Sequence, residues 1–103
     1  MNWNEVYEWL KSHNHVHEKW DCIAFDIDSF YAEDKLENTF ISIFFRGGDE
    51  LVFIVGCMRP KVSVGGSTGY HVSNCWDVID FLEENLEDMY DELMQKVMNE
   101  VNG

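Results

Sequence analysis

Residues 39–46 and 50–58 constrain this chain more than any other feature. They are β-branched and aromatic runs separated by Gly47-Gly48-Asp49, the composition of a β-hairpin. Phe40, Phe44, Leu51, Phe53 and Val55 occupy one set of alternate positions, and Ile41, Ile43, Phe45, Val52 and Ile54 occupy the other. Successive side chains of a strand point to opposite faces, so neither face of this hairpin is polar and both call for cover. Two segments have helical periodicity. Either one helix lies on each face, or both lie on one face and a second subunit or partner covers the other, because a large bare apolar patch is rare on a monomer.

The first helix is short and amphipathic. Asn2 or Asn4 caps it, Trp3, Val6, Tyr7 and Leu10 recur at helical spacing, and it ends near residues 12–14. From about Lys19 the period changes to two: Trp20, Cys22 and Ala24 alternate with Ile23, Phe25 and Ile27, which predicts one strand running toward Tyr31. Residues 32–38 read as a charged turn. Arg59-Pro60 ends the second arm of the hairpin, since proline cannot donate to a ladder. Residues 61–74 contain Gly65-Gly66-Ser67-Thr68-Gly69 and read as a loop or as a short strand pair, 62–64 with 70–72. Ser73 or Asn74 then caps a long helix from about residue 75 to about residue 99, with Asp77 in its first turn and Lys96 in its last, both suited to the helix dipole. A helix of that length exceeds the strands it covers, so its last turns are expected to overhang. The predicted fold is α+β: an N-terminal helix, an antiparallel sheet of three to five strands, and a long C-terminal amphipathic helix, in one domain over residues 1–103.

That last helix carries the strongest functional signal. Between Val62 and Gln95 there is no lysine or arginine, while Asp77, Asp80, Glu83, Glu84, Glu87, Asp88, Asp91 and Glu92 fall inside the interval. At about 100° per residue, Asp77, Asp80, Glu84, Glu87, Asp88 and Asp91 share one face, and Ile79, Leu82, Leu86, Met89, Leu93 and Val97 share the other. Like charges three and four residues apart destabilise a helix by a few tenths of a kcal/mol per pair. Phe81 projects near the acidic face, either to anchor a partner or to fold back on the sheet edge.

The whole chain has the same bias. Twenty acidic residues against seven basic ones give a formal charge of −13, beyond the magnitude of about 2 to 8 usual for a small domain. Such a field repels nucleic acid and anionic membrane and steers basic protein surfaces inward. Hydrophobic residues at 46% and aromatics at 15% exclude a disordered chain. Cys22, Cys57 and Cys75 are odd in number and form no CxxC pair, so no disulfide framework is expected. With no leader-like N-terminus and no apolar stretch of about 20 residues, the expectation is a cytoplasmic protein.

Catalytic and metal patterns are weak by comparison. His13, His15 and His17 stand at alternate positions with Cys22 following, and His71 and Cys75 make a second pair, but neither has the paired-ligand spacing of a structural zinc site. The octet Phe25-Asp26-Ile27-Asp28-Ser29-Phe30-Tyr31-Ala32 resembles the first metal-binding strand of Y-family DNA polymerases. By that resemblance Asp26 would be a Mg²⁺ ligand and Tyr31 a steric gate. The resemblance stops there: a later Ser-x-Asp-Glu-like pair and the basic residues for a triphosphate are absent from the sequence. There is no G-x-S-x-G elbow, and the 65–69 glycine run lacks the Gly-Lys-Ser/Thr ending of a phosphate loop. No metal or cofactor is therefore expected.

These observations lead to a non-enzymatic acidic protein whose Asp77, Asp80, Glu84, Glu87, Asp88 and Asp91 replace phosphates on a basic, nucleic-acid-binding surface of another protein. Phe81 or Trp76 would add apolar contact. Small inhibitors of the DNA-mimic, anti-restriction and anti-CRISPR type act in this way. The alternative is an immunity protein or antitoxin that neutralises a cationic toxin, and an enzyme or metal protein built on the histidines or on Asp26 and Asp28 stands third. The doubly apolar hairpin also favours a homodimer.

Overall fold

The computed structural model describes residues 2–13, 20–69 and 74–102. Helix α1, Trp3–Ser12, starts where the Asn2 side chain accepts a hydrogen bond from the Asn4 amide at 3.1 Å, filling one of the donor positions a helix start leaves open. It buries Trp3, Val6 and Leu10. Five strands follow: β1 (Asp21–Phe25), β2 (Ser29–Asp34), β3 (Thr39–Arg46), β4 (Glu50–Cys57) and β5 (Val62–Thr68). They pair antiparallel in sequence order, β1-β2-β3-β4-β5, as a meander. Helix α2, Cys75–Asn102, closes the described chain, so the fold is α+β with a helix on either side of an antiparallel sheet in chain order.

The hairpin of β3 and β4 turns at Gly47 and Gly48, whose φ values of 68° and 91° are the left-handed conformation that glycine adopts without strain. Arg46 and Glu50 face each other across it and form an ion pair; hydrogen bonds from Arg46 and then Ser67 hold the Glu50 carboxyl below the ordinary glutamate range. In register, Ile41 pairs with Val55, and Ile43 lies between Phe30 and Phe53. These residues, with Leu51, Val64 and Ala32, form the inner face, buried beneath both helices. Trp3 stacks on Phe30 with ring centroids 5.7 Å apart, and Phe81 lies 4.3 Å from Phe53, so α1 and α2 press on the same face. The outer face carries Tyr31, Phe40, Phe44, Val52 and Ile54, all half-buried, and neither helix covers it. Of the two arrangements the hairpin allows, this is the one with both helices on one side.

Three segments depart from the sequence expectation. The predicted first strand is two strands, because Asp26-Ile27-Asp28 forms a turn. The Asp26 carboxylate accepts from the Ile27 amide at 2.7 Å, and the Asp26 amide donates to the Ser29 carbonyl at 2.9 Å. Period-two alternation runs straight through a turn this short and conceals it. The charged turn shrinks to residues 35–38, since Ala32, Glu33 and Asp34 belong to β2. Asn38 supplies its left-handed residue at φ 56°, a conformation asparagine tolerates.

The third departure is the glycine run. Residues 65–68 lie within β5 and form no loop. A Cβ at Gly65 would sit 2.2 Å from the Phe53 carbonyl oxygen, so the absent side chain lets β5 pass close over β4. The strand pairing proposed for 70–72, together with Ser73, lies outside the described residues, whereas Asn74 does cap α2, its Oδ1 accepting from the Asp77 amide at 3.1 Å. Helix α2 has 28 residues, about 42 Å at 1.5 Å per residue, and matches the 41 Å long axis of the molecule. It runs on to Asn102, so Lys96 stands before the last turn, which contains no base. As expected, the end overhangs the sheet: Met98 is 56% exposed and Val101 68%.

Candidate protein-binding surface

Helix α2 is held by one seam. Cys75, Val78, Ile79, Leu82, Leu86, Met89, Tyr90 and Leu93 are buried, the i, i+3, i+4 spacing that sets one stripe of a helix on a core. The geometry that buries this seam turns the carboxylates outward. Asp77, Asp80, Glu83, Glu84, Glu87, Asp88, Asp91 and Glu92 are all exposed. From Asp77 to Glu92 they extend about 22 Å along the axis at 1.5 Å per residue. Lys96, beyond this run, approaches Glu92 at 4.0 Å and donates to the Ser63 carbonyl at 3.5 Å, tying the far end of α2 to β5.

Phe81 and Trp76 occupy different situations. Phe81 is half-buried and folds back on Phe53, whose ring also lies over Gly66 of β5. Trp76 is 61% exposed beside Asp77. It borders a groove of about 460 Å³ between α1 and the start of α2, which Glu5, Glu8 and Trp9 also line. Acidic and aromatic character thus continue from α2 onto α1. The Cys75 thiol donates to Oε2 of Glu5, one of the groove residues, at 2.8 Å. Burial, and then the Glu5 carboxylate, push the Cys75 thiol pKa up, which favours the protonated thiol at neutral pH.

The other candidate residues are dispersed. His13 ends α1 and packs its ring on Trp9 with centroids 4.7 Å apart. His15, His17 and His71 lie outside the described residues. Among the described residues no group of three His, Cys, Asp or Glu is placed to hold a metal ion. Asp26 and Asp28 occupy the exposed β1–β2 turn and not a strand face, so the polymerase-like octet lacks the strand on which its metal ligands would sit. Tyr31 stacks on Phe40 across the outer sheet face, 5.9 Å between centroids, and burial raises its phenol pKa. No helix among the described residues is long and apolar enough to cross a membrane.

One constellation is absent from the sequence reading. Asp34, Thr39 and Cys57 are register neighbours on β2, β3 and β4, so they form a polar row at one end of the otherwise apolar inner face. Tyr90 descends on this row from α2, its ring edge-on to Trp20 at 6.5 Å. Asp34 is 2% exposed and accepts hydrogen bonds from the amides of Leu36 and Glu37 at 3.0 and 3.3 Å. Burial, and then the Asp34 charge, push the Tyr90 phenol far above its ordinary range; the Thr39 hydroxyl offsets part of the rise but stops short of a hydrogen bond. The sequence signal was available. Tyr90 follows Leu82 and Leu86 at i+8 and i+4 in the seam, a polar tip among apolar residues, and Asp34 opens a turn ending in Asn38.

Comparison of the chain with family models, with curated proteins and with solved structures gives no match.

Proposed function

We propose that this protein is a non-enzymatic acidic binding protein whose α2 face occupies a basic, nucleic-acid-binding surface of a partner protein, as DNA-mimic, anti-restriction and anti-CRISPR inhibitors do. One observation carries the reading: the carboxylates from Asp77 to Glu92 are uniformly exposed on a helix whose opposite stripe is fixed in the core. A rigid rod with a carboxylate every 5 Å or so offers a line of negative charge, comparable to a phosphate backbone, without the flexibility of an acidic tail. Trp76 adds an exposed aromatic at one end, the residue type most enriched among binding anchors.

The test is capture of a basic protein from host lysate on the immobilised chain at low and at high salt, beside the variant D80N/E84Q/E87Q. The expected outcome is capture at low salt, loss at high salt, displacement by duplex DNA, and little or no capture by the variant. Equal capture by wild type and variant would show that the acidic face is only solvated.

A second reading concerns the outer sheet face. With both helices on the inner side, Tyr31, Phe40, Phe44, Val52 and Ile54 form an apolar surface on the side of the sheet away from the α2 carboxylates. A second copy can pack there while keeping the two acidic helices apart, and we infer that the protein forms a homodimer through this face.

A further inference from the structure

The polar row at the end of the inner face opens into a cavity of about 380 Å³, toward the lower end of the range of about 300–1,000 Å³ for ligand sites. Buried Thr39, Cys57 and Tyr90 form its floor, and Met94 and Val97 of α2 form an apolar wall. Exposed Glu37, Arg59 and Asp91 stand at its mouth. The Thr39 and Tyr90 hydroxyls, on residues 4% and 9% exposed, meet no hydrogen-bond partner. Buried polar atoms in this state carry a desolvation penalty that a ligand group relieves.

A hydroxyl donates or accepts as its neighbour requires, so the sign of the surrounding charge selects the ligand. Two carboxylates face one guanidinium at the mouth, and Asp34 lies behind Thr39 as its register neighbour. An anion would sit among three carboxylates; a cation would be stabilised by them. The aliphatic wall suits a carbon stem, and Asp91 belongs both to this mouth and to the acidic face of α2. A chain lying along that face therefore delivers its side chains to the cavity entrance.

We propose that the cavity receives one lysine or arginine side chain of the basic partner, its head group donating hydrogen bonds to the Thr39 and Tyr90 oxygens and its stem lying against Met94 and Val97. This rests on the reading of α2 as a surface for a basic protein. It adds a specific anchor to a diffuse electrostatic attraction.

The test is an amide-detected NMR titration of the full chain with Nα-acetyl-lysine methylamide and Nα-acetyl-arginine methylamide, with the corresponding glutamate derivative and agmatine as controls. The expected result is saturable shifts at Thr39, Cys57 and Tyr90 for a basic derivative and none for the glutamate derivative. Thr39→Val and Tyr90→Phe should each weaken that binding about tenfold, the scale of a hydrogen bond to a charged group. Both variants should keep or raise the melting temperature, because each removes a hydroxyl that has no partner. The proposal fails if neither basic derivative gives saturable shifts, if the glutamate derivative binds as well, or if either variant melts several degrees lower. Agmatine binding tenfold tighter than capped arginine would also overturn it, reassigning the site to a free amine. The titration needs no partner protein and D80N/E84Q/E87Q leaves Asp91 in place. No cavity binding with capture lost in that variant therefore rejects the anchor alone, whereas cavity binding with capture intact rejects the acidic face.

Discussion

At Tyr90 a phenol is enclosed between Trp20 and the sheet, and its oxygen reaches no partner. Burial and the Asp34 charge disfavour the phenolate, so the folded-state pKa lies above the unfolded value of about 10. The sign of the linkage follows. Below that value both states hold the proton and stability is unaffected; above it the unfolded chain releases the proton while the folded one retains it. Stability should therefore fall with rising pH, by up to about 1.4 kcal/mol per pH unit for this group. Urea midpoints measured from pH 8 to 11 should decline from about pH 10, and Tyr90→Phe should flatten the decline. Phe81 gives a second residue-scale expectation. Its ring is half-buried on Phe53, so Phe81→Ala should cost about 2 kcal/mol in urea unfolding, less than a fully buried phenylalanine. A cost near zero would mean that the ring lies free in solution and is available as an anchor.

Among the elements, α2 sets stability against charge. Its acidic residues repel one another at i, i+3 and i, i+4, so D80N/E84Q/E87Q should raise stability by a few tenths of a kcal/mol per repulsive pair even as partner capture is lost. Thermal melts of the two proteins at low salt check this, and the gap should narrow as salt rises. In β5, Gly65→Ala should destabilise by at least about 2 kcal/mol, since its Cβ would overlap backbone that cannot move aside. Gly66→Ala should cost less, because the nearest atom, at 3.3 Å, belongs to the Phe53 ring. Elements with a strong period were legible from sequence: α1, the β3–β4 hairpin and the α2 seam all depend on residues whose spacing states their burial. The Asp26–Asp28 turn was not, because its residues preserve the alternation on either side. Nor was the glycine half of β5, residues 65–68, since a glycine-rich segment shows no side-chain pattern and becomes strand only through the backbone of β4. Residues 62–64, by contrast, read as strand in one of the two alternatives for 61–74. The acidic face was visible because it is local to one helix, whereas the Asp34, Thr39, Cys57 and Tyr90 group draws on four elements that only the sheet register aligns.

For the whole molecule, a formal charge of −13 acts on two associations in opposite directions. Binding of a basic partner gains from the field and should weaken as salt rises. Dimerisation through the outer sheet face brings two like-charged bodies together and should strengthen with salt until the repulsion is screened. Sedimentation equilibrium at about 0.05 and 0.5 M salt separates these effects; a monomer at both, or a dimer untouched by Val52→Glu, would remove the outer face as an interface. The meander has one more consequence, for the order in which the chain is made. Every strand pairs with its neighbour in sequence, so the hairpins need only short loops to close and can form as they leave the ribosome. The cover for the inner face, α2, comes after all five strands. During synthesis the sheet therefore passes through an interval with its inner face lacking its longest helix, and a chaperone that binds exposed apolar strands should engage the nascent chain there and leave once α2 has docked.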